Sequence, residues 1–251
     1  MLKTVTNLRK WQLVRSTGGA SSLGTPLPPK AFRMGGQHFL DNTELVKTAK
    51  RDVQRLADHG LTKESRLLDW GCGAGRLAIG VIETWGGIAF YNGVDVQKDL
   101  ILWDQRHLAR PGIRFTYVNL ANARYNPDGS PVLQIPGDDG GYDALYGYSV
   151  LSHMDTKEVH TYLAEIRRLL SPNGFAWVTA FVERNVPDEE ENPTGYGPLE
   201  WKGALHCVRF EQSYFERLIA EAGLRVDLFE HGDETDGQSL YVLRHASGAM
   251  P

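Results

Sequence analysis

The sequence is poor in cysteine and has no long hydrophobic run. Its 251 residues contain two cysteines, Cys72 and Cys207, too few for a disulfide framework or a four-thiolate metal site. No stretch approaches the roughly 20 apolar residues of a membrane-spanning helix, and the basic start lacks the apolar core of a signal peptide. We therefore expect a reducing, cytoplasmic location and no membrane span.

A strong charge of either sign is also missing. The formal net charge is −4, which argues against a dedicated nucleic-acid partner. The acidic stretch from Glu183 to Pro193 is interpreted as solvated surface. No acidic residue precedes Asp41, so the first 40 residues are either solvated surface or a basic tail that closes over an anionic group.

Hydrophobic patterning alternates between strand and helix periods from residue 41 onwards. We predict helices at 8–14, 41–60, 76–84, 98–108, 156–170 and 212–222, and strands at 66–69, 88–94, 113–118, 142–146, 175–181, 224–230 and 239–244. Such alternation is typical of parallel strands with crossover helices on both faces of a sheet. A polar turn too short for a crossover helix joins the last two strands, which should therefore pair antiparallel.

The predicted organisation is one domain with an arm. Residues 1–40 are rich in Gly, Ser and Pro and are expected to form a loop or flexible arm, with a lid over a ligand as one alternative. The domain covers 41–251, with an inserted loop near 184–207.

The stretch "LLDWGCGAGRLAIG", residues 67–80, has the spacing Asp69-x-Gly71-x-Gly73-x-Gly75. Glycine is costly in an element, so such a cluster indicates a tight turn or a close ligand. A dinucleotide-binding loop would carry its third glycine at position 76, and no Gly-Lys-Ser/Thr follows to make a P-loop. The spacing therefore does not favour a pyrophosphate ligand.

This stretch resembles the first motif of the class I S-adenosylmethionine-dependent methyltransferases, commonly D/E-x-G-x-G-x-G. The resemblance implies an α/β, Rossmann-like three-layer sandwich with a mostly parallel seven-stranded sheet and an antiparallel last strand. It also implies S-adenosylmethionine as cofactor. The glycine loop would approach the methionine part of the cofactor, and Asp69 would engage its ammonium.

Further cofactor contacts are expected at later strand ends. Asp95 follows the second strand, where its two oxygens can accept bonds from both ribose hydroxyls. By the resemblance, Val96 lies against the adenine, and Asn119 and Leu120 lie at the adenine edge. Ser149, or its backbone, borders the cofactor. Each feature also has a plain structural alternative: a tight strand–helix junction for the glycines and a helix cap for Asp95.

His153 is the predicted general base, because it follows the fourth strand and has an ordinary pKa of roughly 6.5. It could instead cap the next helix or bond to Asp155. Tyr148, His206 and His38 are weaker candidates. The aromatic residues Trp201, Tyr196 and Phe210 are expected to line an acceptor pocket or to hold the inserted loop in place.

We expect a small-molecule acceptor, most plausibly a hydroxyl of a sugar, glycolipid or natural product, with amine and carbon acceptors left open. No metal-ligand spacing stands out, so no metal is predicted. The alternatives are an RNA- or protein-modifying methyltransferase, a non-catalytic cofactor-binding partner protein and a nicotinamide oxidoreductase. The sequence leaves the oligomeric state open, with a homodimer as one alternative.

Overall fold

A computed structural model describes residues 10–131 and 134–246 of the chain. The residues fall into two compact units, one that ends at Val118 and one that begins at Asn119. The start of the predicted helix at 8–14 lies outside the described residues, but residues 10–15 are helical. No helix in the described ranges is long and apolar enough to cross a membrane.

The N-terminal unit alternates helices and parallel strands. Its elements are α1 (Asn42–Asp58), β1 (Arg66–Trp70), α2 (Arg76–Trp85), β2 (Phe90–Asp95), α3 (Lys98–His107) and β3 (Ile113–Tyr117). The strand order is β3-β2-β1, and the register pairs Asp69 with Gly93 and Asp95 with Tyr117. The carboxyl ends of β1 and β2 therefore lie side by side, and each carries an aspartate.

Local sequence accounts for the packing of α1 on α2. Asp41 caps α1, because its carboxylate accepts hydrogen bonds from the N–H groups of Thr43 and Glu44. The two helices approach closely at Gly80, where an added Cβ would lie 2.2 Å from the carbonyl oxygen of Ala49. This contact positions the helix that begins directly after the glycine loop.

The arm residues described here pack on the helices of the same unit. The Glu83 carboxylate accepts hydrogen bonds from Ser21, at 2.6 Å, and from Thr25. Trp103 Nε1 donates to the carbonyl of Ser16 at 2.8 Å. The buried guanidinium of Arg33 donates to three backbone carbonyls and to the Asn42 side chain, which closes the segment on itself. The role of the arm as a lid stays a prediction.

The C-terminal unit contains six strands and two α-helices among its described residues: β4 (Tyr142–Gly147), α4 (Thr156–Leu169), β5 (Leu170–Glu183), β6 (Glu189–Glu191), β7 (Val208–Glu211), α5 (Gln212–Glu221), β8 (Leu224–Glu230) and β9 (Ser239–His245). Strand β5 pairs parallel with β4 and β7 and antiparallel with β9, and β8 pairs antiparallel with β9. The antiparallel final hairpin confirms the prediction for the last two strands.

The described residues contain nine strands, two more than the seven predicted. The additional strands are β6 and β7, which pair antiparallel at one side of the inserted segment. Sequence patterning missed them because β6 consists of three glutamates and β7 of only four residues. Their pairing depends on tertiary contacts, among them an ion pair between Glu190 and Arg209.

Candidate functional site

The glycine loop joins β1 to α2 and turns through three left-handed residues. Gly71, Gly73 and Gly75 have φ values of 75°, 57° and 68°, a region that costs other residues roughly 1–2 kcal/mol each. The N–H groups of Gly71 and Cys72 donate to the carbonyl of Val94 at 2.8 and 3.1 Å. The loop is therefore attached to the end of the neighbouring strand β2.

Two glycines of this loop serve different purposes. An added Cβ at Gly75 would lie 2.4 Å from Leu108 Cδ1 and 2.9 Å from Asp104 Oδ1, so close packing explains this glycine. An added Cβ at Gly73 would meet no atom within 4 Å. Open space beside a left-handed glycine leaves room for a ligand against the backbone.

Asp95 lies at the carboxyl end of β2 and holds the glycine loop. Its Oδ2 accepts from the N–H of Gly73 at 2.9 Å, and its Oδ1 accepts from the N–H of Gln97 at 2.7 Å. The carboxylate is thus turned toward the loop rather than toward bulk water. Burial raises its pKa, while hydrogen bonds from Gln97, Gly73 and Val96 lower it. A carboxylate can accept about four hydrogen bonds, so Asp95 retains capacity for a further donor.

Asp69 occupies the end of β1 and is 2% exposed. Its carboxylate accepts a hydrogen bond from the hydroxyl of Tyr91 on β2. Burial raises the pKa of Asp69 to about 7, with the Tyr91 hydrogen bond and the Arg76 charge acting in the opposite direction. An anionic Asp69 is therefore costly in the protein alone, and a cation nearby would favour it.

Asp104 on α3 is a third buried carboxyl beside the loop, which sequence analysis missed. It is 0% exposed, and its Oδ1 has no hydrogen-bond partner among the described residues. Its other oxygen lies 3.9 Å from Cys72 Sγ. Burial raises the pKa of Asp104, and the charges of Asp95 and Asp69 raise it further. The N-terminal unit thus gathers three carboxyl groups around one turn.

The arm reaches the residues that follow Asp95. Met34 Sδ lies 3.4 Å from Gln97 Nε2, and Met34 is 46% exposed. The N–H of Gln97 donates to Asp95, so the arm borders the predicted ribose position. His38 belongs to the 3₁₀ helix Gln37–Leu40 and stacks on Phe39.

The remaining predicted cofactor residues belong to the C-terminal unit. Asn119 is exposed, and its side-chain oxygen accepts from Asn126 Nδ2 at 3.1 Å. Leu120 is half-buried and its carbonyl accepts from the same amide. Ser149 has a strained φ of 57°, and its hydroxyl accepts from Gln238 Nε2 at 2.8 Å. Their contacts to a cofactor stay predictions, as does that of Val96, which is half-buried beside Asp95.

His153 lies in the 3₁₀ helix Leu151–His153, directly before α4. It does not cap α4, because Asp155 does so in a capping box with Glu158. His153 Nδ1 lies 3.0 Å from the carbonyl oxygen of Leu205. A carbonyl only accepts, so we infer that Nδ1 carries the proton and that the neutral ring has its lone pair on Nε2.

Burial is the main cause that lowers the pKa of His153 to about 4. Electrostatic interactions with Arg124 and His206 lower the pKa further, and the hydrogen bond to the Leu205 carbonyl raises it. The pKa of His153 in the folded protein therefore lies below the ordinary value of roughly 6.5. At neutral pH the imidazole is uncharged and can accept a proton, but it is a weaker base than expected.

A turn formed by residues 122–126 packs against His153. Asn122 is buried, donates to the carbonyl of His153 at 3.1 Å, and accepts from the N–H groups of Arg124 and Tyr125. The Tyr125 ring meets the His153 ring edge-on at 5.4 Å. The Arg124 guanidinium lies over Tyr125, and its Nε is buried with no hydrogen-bond partner among the described residues.

The inserted segment supports His153 from the other side. Leu205 has a left-handed φ of 48°, and its N–H donates to Glu191 Oε1 at 2.7 Å. The Asn192 side chain accepts from Cys207 N–H and donates to the Gly203 carbonyl. Glu191 belongs to the acidic stretch interpreted as solvated surface. It holds the backbone of Leu205, whose carbonyl orients His153.

The aromatic residues of this segment mainly hold it in place. Trp201 Nε1 donates to the Tyr196 carbonyl at 2.7 Å, and both rings pack on Phe181. Phe210 is fully buried against Phe215. Tyr148 bonds to Glu234 and Thr235. In the part of the chain that the structure describes, no group of three or more His, Cys, Asp or Glu side chains is arranged to hold a metal.

Residues 68–176, which include the glycine loop, Asp95 and His153, match a family described as "Methyltransferase domain". A region of 144 residues is 25% identical to an uncharacterized protein of Haemophilus influenzae, and it covers 55% of this chain and 53% of that protein. The aligned part of the chain spans about half the length of this curated relative.

Solved structures share the fold at low identity. The [4+2]-cyclase SpnF has a TM-score of 0.57 and 20% identity over 80% of this chain and 82% of its own. A 1,6-didemethyltoxoflavin-N1-methyltransferase of Burkholderia thailandensis, solved with S-adenosylhomocysteine, has a TM-score of 0.52 and 18% identity over 82% of both chains.

These findings agree with the motif found in the sequence. Residues 68–176 match a methyltransferase-domain family, and the fold is shared with solved S-adenosylmethionine-dependent methyltransferases. The predicted resemblance to these methyltransferases and the mostly parallel α/β fold class are therefore confirmed. The likeness to the structures concerns the fold, because their identities are below 25%.

Proposed function

We propose that the protein transfers a methyl group from S-adenosylmethionine to a small-molecule acceptor. The N-terminal unit binds the cofactor, and the C-terminal unit supplies the residues that act on the acceptor. The observation that carries the proposal is the Asp95 carboxylate, which is held at the carboxyl end of β2 by the N–H groups of Gly73 and Gln97. Ligands of open α/β sheets bind at this edge.

The residues present suit this cofactor. The open space at Gly73 admits a ligand against the backbone, and the Asp95 carboxylate has capacity for a further hydrogen bond from a ribose hydroxyl. Asp69 and Asp104 add buried carboxyl groups whose ionisation a cation would favour. The sulfonium and ammonium groups of S-adenosylmethionine are cations, whereas the pyrophosphate of NAD would be repelled.

S-adenosylmethionine supplies a methyl carbon activated by the adjacent sulfonium, and its loss leaves S-adenosylhomocysteine. The protein has to orient the acceptor, exclude water and remove a proton where the acceptor carries one. We assign proton removal to Nε2 of His153. The Leu205 carbonyl fixes the ring tautomer, and the edge contact with Tyr125 fixes its orientation.

The acceptor is proposed to be a hydroxyl or amine of a small molecule. The toxoflavin enzyme is an example of a nitrogen acceptor on the same fold. SpnF, described as a cyclase, shows that this fold also serves other chemistry. An RNA or protein acceptor remains the alternative and would show strongly salt-dependent binding. The cytoplasmic location stays a prediction.

Calorimetry of the full chain with S-adenosylmethionine and with NAD tests the cofactor assignment. We expect binding of the sulfonium compound and a loss of tenfold or more in Asp95→Asn, because hydrogen bonds to a charged carboxylate contribute roughly 1.5–3 kcal/mol. Asp99→Asn, four residues further on and paired with Lys10, is the matched control and should bind normally. Binding of NAD without binding of S-adenosylmethionine would overturn the proposal.

Labelled methyl donor incubated with metabolite extracts then tests transfer and isolates the acceptor. We expect a labelled small molecule with the wild-type protein and little product with His153→Ala, whose cofactor affinity should be unchanged. Cofactor binding without any labelled product would favour the non-catalytic alternative.

A further inference from the structure

The strongest unassigned feature near His153 is Arg124, which forms no ion pair with a carboxylate among the described residues. Arg124 lies over the Tyr125 ring at 5.4 Å, and its buried Nε has no hydrogen-bond partner among the described residues. Buried polar groups are normally satisfied, and one that is not often marks the place of a missing partner. An arginine fork matches the geometry of carboxylate and phosphate groups.

The charge of Arg124 acts on His206, a second potential hydrogen-bond donor. His206 Nδ1 accepts from the N–H of Lys202 at 2.9 Å, so the neutral ring carries its proton on Nε2 and can donate. The positive charge of Arg124 acts on both His153 and His206. The negative charge of Asp236 raises the pKa of His206. Asn122 holds Arg124 and His153 together through backbone hydrogen bonds.

We propose that Arg124 binds an anionic group of the acceptor, a carboxylate or a phosphate, beside His153. This inference rests on the proposed function, since it treats the surroundings of His153 as the acceptor site. It goes further by assigning the acceptor class: acidic small molecules rather than neutral sugars or lipids.

An anion bound at Arg124 would also raise the pKa of His153. Burial is the main cause of the low pKa of His153, and the charge of Arg124 adds to it. A bound anion offsets that charge, so it favours protonated His153. The base thus gains strength when an acidic acceptor is present, and it stays weak when the site holds only water.

The test measures the protonated fraction of His153 by nuclear magnetic resonance of isotopically labelled histidine, assigned with His153→Gln. At pH 5, a pKa of about 4 leaves roughly a tenth of the rings protonated. Inorganic phosphate and trifluoroacetate, a carboxylate that stays ionised at this pH, are compared with chloride at equal ionic strength. We expect an anion to raise the pKa by on the order of one pH unit, to about half protonated.

Variants show whether Arg124 is responsible. The response should disappear in Arg124→Gln and persist in Arg217→Gln, which removes an arginine placed over Tyr214 at 5.2 Å. A response to phosphate alone supports a phosphate ester as acceptor, and one to trifluoroacetate alone supports a carboxylic acid.

An unchanged protonated fraction in the wild-type protein would overturn the inference, whatever the folding of the variants. So would a response that persists in Arg124→Gln. No methyl donor is present, so this failure differs from a failure to bind S-adenosylmethionine, which would overturn the proposed function instead.

Discussion

Replacing Asp69 with asparagine is expected to stabilise the protein at neutral and alkaline pH. Burial raises the pKa of Asp69 from 3.8 to about 7, so the folded protein binds this proton more tightly than the unfolded chain does. The contribution of Asp69 to stability is complete below pH 3.8 and is lost as the pH rises through 7. At roughly 1.4 kcal/mol per pH unit, the loss is about 2 kcal/mol at pH 5.5 and about 4 kcal/mol at pH 8.

Asparagine can accept the same hydrogen bond from Tyr91 but does not ionise. The free energy of unfolding of Asp69→Asn relative to wild type should therefore increase by about 2 kcal/mol between pH 5.5 and pH 8. Urea denaturation followed by tryptophan fluorescence measures it at each pH, and Trp70 lies next to the substitution. Calorimetry should show weaker binding of S-adenosylmethionine, because the carboxylate proposed to engage the ammonium is lost.

A second variant tests the cause. Tyr91→Phe removes the donor that lowers the pKa of Asp69, so the loss of stability should continue to a higher pH and become larger than in wild type. If the curves of Asp69→Asn and wild type stay parallel from pH 5.5 to 8, Asp69 ionises normally in the folded protein. The argument from burial would then be refuted.

Two further predictions concern the loop and the base. Gly75→Ala should lower the free energy of unfolding by roughly 2–4 kcal/mol, because its Cβ would collide with Leu108 and Asp104. Gly73→Ala should cost only about 1–2 kcal/mol yet weaken S-adenosylmethionine binding in calorimetry; equal effects of the two substitutions would contradict this division. Because the pKa of His153 is lowered, the contribution of this residue to stability is complete above pH 6.5 and is lost as the pH falls toward 4. The free energy of unfolding should fall by about 3 kcal/mol over this range. His153→Gln should lack this loss in acid denaturation, and an unchanged acid sensitivity would show that His153 titrates normally.

Local sequence patterns were sufficient to predict the main helices and strands of this protein. The helix at Asn42–Asp58 follows from its cap and its apolar face, and alternating periods predicted the α/β class and the final hairpin. The glycine loop and Asp95 were recognisable because residues at the end of a strand and in the following turn are neighbours in the chain. Hydrogen bonds between Gly73 and Asp95 then joined two such turns.

The acceptor side depended on contacts between residues far apart in the chain. The carbonyl that orients His153 comes from Leu205, 52 positions later in the chain. The N–H of Leu205 is in turn bound by the side chain of Glu191. Nothing in the sequence around Arg124 indicates that its Nε is buried with no partner in the part of the chain that the structure describes.

The pKa values of the site residues also depended on the tertiary structure. Sequence identifies Asp69 and His153 as titratable groups with ordinary pKa values, but burial and neighbouring charges set their pKa values near 7 and near 4. Burial and long-range charge are properties of the packed chain, since they depend on which distant segments exclude water from a side chain. The amino-acid order therefore specified the glycine loop, whereas packing set the tautomer and basicity of the histidine proposed to act on the acceptor.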